Sequence, residues 1–383
     1  MAGRAVAAIA GVGETDYSRG SGRSVAALQI EAALGALADA GLPPRAIDGI
    51  VTCSSGDVVA DTFITNFDLP DVRLVAHVPL GGASCVAALH TAVAAIAAGT
   101  CSAVLIPAGR NGYSESRTAS RVRAMPQLDV VAEFESPLGS LMPVQHYAFM
   151  ARRHMELYGT TSAQLGRIAV STRRYAGMNA RALMRKPITL AEHQNSRLIA
   201  DPFRLFDCCL ESDGAAAVVV TALHLARRGA APPALILGAA EGHPDSPSAI
   251  TQRADMTVLG VAKAAPRVYA QAGVGPEDIQ VAALYDCFTY TVLCQLEDLG
   301  FCRKGEGGAF VDSGALEPGG RLPVNTHGGL LSQAHVSGMN HVVELVRQVR
   351  GTAGAAQVPG ARLGLVSGFG DLGDGAVAIL QRG

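Results

Sequence analysis

The sequence predicts an α/β protein assembled from two similar halves. Three observations predict it. Short apolar, strand-like runs alternate with capped helical segments along the chain. The unit Ala40-Gly41-Leu-Pro-Pro-Arg-Ala-Ile47 returns as Ala272-Gly273-Val-Gly-Pro-Glu-Asp-Ile279 with the same spacing. The helix–strand–glycine stretch from Ser84 to Gly109 is echoed from His335 to Gly370.

The elements follow in order. Ala5 to Ile9 reads as a strand ended by Gly11-Val-Gly13. Ser24 caps a helix from about Val25 to Ala40, closed by Gly41 and followed by Pro43-Pro44. Ile47 to Cys53 is a strand. A helix runs from about Ser84 to Ala98 and ends at Gly99. The strand Ala103 to Pro107 opens into Gly109. In the second half a helix closes at Gly273, and Ile279 to Leu284 is a strand. A helix from about His335 to Arg350 closes at Gly351, and Leu363 to Val366 opens into Gly368-Phe-Gly370. This divides the chain at 1–230 and 231–383. The join falls near Arg227 to Pro233, and an arginine-rich insertion covers about 110–202.

Composition narrows the function. The 383 residues are 49% hydrophobic and 17% charged, with 44 glycines, which suits a tightly packed interior with short turns. The net charge of -2, without a basic run, argues against nucleic acid or an anionic membrane as partner. No secretory signal stands at the start, and the apolar runs are shorter than the ~18 residues a membrane helix needs. Eight scattered cysteines without a C-x-x-C pair point to reduced thiols in a cytoplasmic protein and to no structural zinc.

Several motifs carry a resemblance. Cys208-Cys-Leu-Glu-Ser-Asp-Gly-Ala-Ala-Ala217 is similar to a strand entry ending in S-D-G-A-A-A. Tyr285-Asp-Cys-Phe-Thr289 stands where relatives have N-E-A-F or H-D-C-F. Asn325-Thr-His-Gly-Gly329 and Ala334-His335-Val-Ser-Gly338 are similar to N-x-x-G-G and G-H-P-x-G. In order and spacing the chain resembles the thiolase superfamily, in its sterol-carrier-protein-like branch. The resemblance implies a five-layer αβαβα sandwich with two shared central helices, a two-fold dimer, and CoA thioester substrates. The site should form where Gly81–Cys85, Tyr285–Phe288, Asn325–Gly338 and Gly368–Gly370 converge.

Thiol-dependent members carry C-x-S-G-L-Q-A at a helix N-terminus, where the dipole and free N–H groups favour a thiolate. Counting back from Gly99 places that cysteine's slot at Gly82, with Ser84 on the motif's serine and Cys85 on its glycine. Cys85 has two readings: a small buried residue of the helix face, or a nucleophile shifted by three residues. The shift moves the sulfur about 4.5 Å along the axis, which favours the first. The second thiol of the family, in a C-x-G loop, is also missing, because the loop reads Val366-Ser-Gly-Phe-Gly370.

What remains is oxygen and imidazole. Backbone N–H groups at Gly82 and Gly370 suit an oxyanion. The resemblance implies that His335 polarises the thioester carbonyl, that Asn325 and Gly338 belong to the substrate loops, and that Asp286 supports Tyr285. A tyrosine hydroxyl at 285 can handle a proton directly. Some thiolase-like aldolases use such a hydroxyl to cleave a β-hydroxyacyl-CoA. The expected function is therefore a retro-aldol C–C lyase with Tyr285 as proton acceptor. It needs no metal and no cofactor beyond the substrate's CoA, and the resemblance implies a small OB-fold, zinc-ribbon partner subunit. Two alternatives stand beside it: an acyltransferase using Cys85, and a non-catalytic acyl-CoA or lipid-binding protein. Weaker signals are read as structural. Gly11-Val-Gly13 lacks the third glycine of a dinucleotide loop, Cys208-Cys209 reads as strand packing, and Arg117–Arg123 and Arg173–Arg185 read mostly as a solvated face, with some arginines available to CoA phosphates.

Overall fold

Runs such as Val104-Leu-Ile106 and Ala215 to Val220 contain no polar alternation, so both faces of their strands must be covered. The computed structural model, which describes residues 5–53, 58–115, 117, 129–140, 142–226, 229, 231–245, 250–370 and 373–383, covers both. The strands of the main sheet are β1 (Ala7–Glu14), β2 (Gly49–Cys53), β3 (Leu74–Val78), β4 (Ala103–Asn111), β5 (Asp213–Ala222), β6 (Ala234–Gly242), β7 (Val281–Ala283), β8 (Leu363–Gly370) and β9 (Asp374–Arg382). Their order is β3-β2-β4-β5-β1-β6-β9-β8-β7. Read outward from the middle, β1-β5-β4-β2 and β6-β9-β8-β7 are the same pattern. The two half-sheets meet where β1 pairs antiparallel with β6, Ala7 opposite Ile236 and Ile9 opposite Ala234.

Four helices complete the layers: α1 (Val25–Ala40), α2 (Ser84–Ala97), α5 (Val261–Ala272) and α7 (Met339–Arg350). Along β5, Ala215, Ala217 and Val219 pack with α1, while Ala216, Val218 and Val220 turn to the interior shared by α2 and α7. Along β9, Val377 and Ile379 pack with α5, while Ala376, Ala378 and Leu380 face that same interior. The layers are thus α1, half-sheet, α2 with α7, half-sheet, α5. This is the expected five-layer sandwich. Helices α3 (Pro143–Tyr158), α4 (Ser162–Met178) and α6 (Thr289–Asp298) add to the second half's core. Among the described residues no helix is long and apolar enough to cross a membrane.

Local chemistry sets the boundaries. Ser24 accepts from the Ala27 N–H at 3.2 Å, and Gly41 ends α1 at φ 64°. Two expectations need correction. Strand β1 does not stop at Gly11 but runs to Glu14. Both glycines lie against α1, where a Cβ would fall about 2 Å from the Ala36 and Ala32 carbonyl oxygens (2.0 and 2.1 Å), so they serve close packing and no dinucleotide loop. Helix α7 does not begin at His335. Ser337 and Gly338 are left-handed, at φ 62° and 88°, so a helix cannot pass through them and starts at Met339. His335 therefore sits in a loop after a single π-helical turn, Gly329–Gln333. Asn340 ties that loop down by donating to Gln333 Oε1 and the Ala334 carbonyl, at 2.8 and 3.1 Å.

The expected solvated arginines divide. Arg117 is exposed over the Tyr113 ring, and residues 118–123 lie outside the described residues. Arg173 is buried instead, donating to Ser332 Oγ at 2.8 Å. Within the expected join, residues 227, 228 and 230 also lie outside the described residues.

Candidate active site

Tyr285 stands two residues beyond β7, and three elements clamp its backbone. Asn325, itself at φ 54°, accepts from the Leu284 N–H and donates to the Leu284 carbonyl, both at 2.8 Å. Gln295 and Thr291 on α6 donate to the Tyr285 carbonyl at 2.8 and 3.1 Å. Ser367 on β8 accepts from the Tyr285 N–H at 3.4 Å and donates to Gln295 Oε1 at 2.6 Å. A buried ring on such a support keeps one direction.

That direction leads to Gly82, the position that the resemblance assigns to the family's thiol. A Cβ on Gly82 would lie 2.2 Å from Tyr285 Cζ and 2.3 Å from its hydroxyl oxygen. On the other side a Cβ on Gly338 would lie 3.0 Å from ring carbons Cδ2 and Cε2. The phenol is therefore wedged between two glycines, and it occupies the volume where a side chain at position 82 would stand. Gly370 lies against the same turn: its own Cβ would fall 2.5 Å from the Gly82 nitrogen.

The Tyr285 hydroxyl reaches His335 Nε2 at 3.1 Å. Burial pushes the phenol well above its ordinary range, and the Arg110 guanidinium pulls it in the opposite direction. At rest Tyr285 is thus a neutral phenol within hydrogen-bonding distance of the imidazole. His335 is held by reciprocal bonds with Ser212, whose Oγ accepts from the His335 N–H at 2.8 Å. Arg110 NH1 lies 3.2 Å from Nδ1 and 3.3 Å from Nε2, and the Cys209 sulfur lies 3.5 Å from Nδ1.

The remaining expected residues stand around this pair. Asp286 is fully buried and turned away from the Tyr285 hydroxyl. It accepts from the Leu330 and Leu331 N–H groups at 2.8 and 3.3 Å and lies 3.1 Å from His341 Nε2, so it fixes the π-helical turn from below. Ser84 Oγ accepts from the Leu80 N–H at 2.9 Å and closes the turn that carries Gly82. Cys85 is fully buried. Its sulfur sits 3.5 Å from Cys53 and donates to the Ser337 carbonyl at 3.2 Å. The Cys53 contact and burial push this thiol well above its usual range, the reverse of what a nucleophile requires.

Two site residues escape the sequence reading. Arg110 follows a glycine at the end of an apolar run, where a charge reads as the start of a loop; β4 extends through it and buries it. The pair Cys208-Cys209, expected to pack within a strand, lies in the loop entering β5. The Cys209 N–H bonds the Cys287 carbonyl at 3.0 Å, which delivers its sulfur to His335. A cleft of about 430 Å³ opens beside it, lined by Cys208, Cys209, Glu211, Leu331 and the arginines 19, 117 and 173. Among the described residues no three His, Cys, Asp or Glu side chains are grouped to hold a metal ion.

Residues 242–382 match the family described as thiolase C-terminal domain-like. A steroid side-chain-cleaving aldolase of Thermomonospora curvata is 42% identical over 356 residues, 91% of each chain. The 17-hydroxy-3-oxo-4-pregnene-20-carboxyl-CoA lyase of Mycobacterium tuberculosis is 41% identical over 91% of this chain and 92% of its own. The solved Ltp2-ChsH2(DUF35) aldolase superposes with a TM-score of 0.93 at 40% identity, over 98% of both chains. With that ancestry, the chain belongs to the thiolase superfamily, among its sterol-carrier-protein-like aldolases, and is a thiolase-like carbon–carbon lyase.

Proposed function

We propose that the protein cleaves a β-hydroxyacyl-CoA by a retro-aldol reaction, with Tyr285 as the group that takes the substrate's hydroxyl proton. One observation carries this reading: the Tyr285 ring fills the space a nucleophile at position 82 would need. Because the resting phenol is neutral, it acts as one link of a relay. The hydroxyl proton moves to the Tyr285 oxygen while the phenol's own proton moves to His335 Nε2. The carbinol carbon becomes a carbonyl, the C–C bond breaks, and its electron pair passes into the thioester as an enolate. The proton then returns through the pair to the enolate carbon, giving the shorter acyl-CoA. Backbone N–H groups at Gly82 and Gly370 are proposed to face the enolate oxygen. The occupied Nε2 supports a relay role for His335 in place of the carbonyl-polarising role expected from the sequence.

The relatives' names support a bulky substrate of the steroid side-chain CoA type. The arginines rimming the cleft suit CoA phosphates. The likeness to the Ltp2-ChsH2(DUF35) aldolase supports a DUF35 partner, in line with the OB-fold, zinc-ribbon subunit expected from the resemblance. A homodimer, a cytoplasmic location and the absence of any cofactor beyond CoA are part of the same proposal. Acyl transfer through Cys85 finds no support in the position of its sulfur. The test is turnover of a β-hydroxyacyl-CoA, with and without the partner subunit, followed by appearance of the carbonyl product. Tyr285→Phe keeps the ring and removes the hydroxyl; turnover should slow by about 10²–10⁴-fold. Undiminished turnover refutes Tyr285 as the proton carrier.

A further inference from the structure

Arg110 is a charge that the fold has no packing reason to bury. It lies near the end of β4, in register with Gly214 on β5, at 4% exposure. Its NH2 pairs with Glu211 at 3.0 Å, and Glu211 stands at the wall of the cleft. NH1 meets His335, almost equidistant from both ring nitrogens at 3.2 and 3.3 Å, so the cation lies across the imidazole and not in line with one nitrogen. Among the described residues, Arg110 from β4, Cys209 from the loop before β5 and Tyr285 beyond β7 lie against the His335 ring, and Glu211 of the same loop bears on it through its bond to Arg110. Of these four, Glu211 alone is a carboxylate, and it is bonded to Arg110.

We propose that Arg110 is a positioning residue for the lyase chemistry: its permanent charge keeps the His335 ring neutral at rest, so that Nε2 is open to receive the proton, and drives that proton back out once the enolate has formed. The proposal rests on the relay described above. An arginine does not lose its proton in a protein, so this bias persists at every pH at which the enzyme is folded. A second positive charge on the ring beside it is disfavoured, while negative charge on the Tyr285 oxygen is favoured. A guanidinium touching only Tyr285 would stabilise a phenolate and hold the proton on His335. Placed across the imidazole, it opposes that trap, and a lyase must release the proton to carbon to finish the reaction. Nothing is oxidised or reduced: one O–H and one C–C bond break, one C=O π bond and one C–H bond form.

The test has a readout that needs no turnover. Titration of the His335 ring is followed by NMR of histidine-labelled protein, assigned by the signals lost in His335→Asn. In Arg110→Gln the ring should titrate about one pH unit or more higher than in the wild type, and Arg110→Lys should restore most of the difference. The acid limb of the kcat profile should move up by the same interval. If Arg110→Gln does not fold, Glu211→Gln supplies the converse: with the anion's offset removed, His335 should titrate lower. Coincident titrations in wild type and Arg110→Gln, or an upward shift in Glu211→Gln, overturn the proposal. A displaced titration without cleavage of any β-hydroxyacyl-CoA upholds the charge effect of Arg110 and refutes the lyase reading, so the two failures are distinguishable.

Discussion

Replacing Gly82 by alanine puts a methyl group where the Tyr285 ring already stands. The added carbon would lie 2.2 Å from Cζ and 2.3 Å from the Phe369 carbonyl oxygen. Ordinary carbon contacts begin near 3.5 Å, so the ring must retreat by roughly 1.3 Å. It cannot tilt freely, because Gly338 closes the other side and the backbone is clamped by Asn325, Gln295 and Ser367. Overpacking of this kind costs about 1–3 kcal/mol. The same displacement stretches the 3.1 Å bond between the hydroxyl and His335 beyond hydrogen-bonding range. Two outcomes are therefore expected together: a urea midpoint lowered in proportion to that cost, and turnover slowed by about 10²-fold or more, the usual worth of a positioned acid–base group. Product formation is followed chromatographically and stability by fluorescence or circular dichroism. The double variant Gly82→Ala, Tyr285→Ala regains stability relative to Tyr285→Ala alone, because the methyl then fills part of a hole. Wild-type turnover and stability in Gly82→Ala would show that the ring does not occupy this space, and the relay would fail with it.

Further outcomes follow from the surrounding groups. Asn325→Ala strands the Leu284 N–H and carbonyl in the interior and should cost about 2–4 kcal/mol by urea unfolding, with turnover falling in step. Glu344, fully buried on α7 and bonded by Thr326 and Gln348, is pushed up to about 7 by burial. The raised value means the folded state holds the extra proton between the ordinary carboxyl range near 4.5 and pH 7. Stability from this group is therefore present below about 4.5 and lost as pH rises through 7, a change of about 3 kcal/mol that Glu344→Gln should abolish in urea midpoints measured at pH 5 and pH 8. Cys85 should resist iodoacetamide in the folded protein and carry no acyl adduct after incubation with substrate, both read by peptide mass spectrometry; rapid labelling would contradict its burial.

Much of this architecture is legible from residue order alone, for definite physical reasons. A repeated Ala-Gly turn before a strand marks the duplication, because the left-handed helix end requires glycine at both copies. The assignment of Gly82 to the family's thiol position comes from counting back from Gly99 along the segment that holds α2, where spacing converts to position. Reading stops where a residue departs from its usual conformation or setting. Ser337 adopts a left-handed φ without being glycine, so residue order alone starts α7 four residues early. Arg110 is buried by partners 101 and 225 residues away, and nothing local announces them. Gly11 and Gly13 read as a strand's end because contact with α1 is likewise a long-range matter.

The wedge between two glycines also constrains how this chemistry could have arisen. A bulky phenol at position 285 and any side chain at position 82 compete for one volume. An ancestor holding both would be overfilled, and one holding neither would carry a cavity costing several kcal/mol. Thiol and phenol versions of this scaffold are thus separated by paired replacements, and either change made first leaves a strained or hollow protein. A side chain at position 82 and the ring at position 285 exclude one another, so on this scaffold neither can change alone.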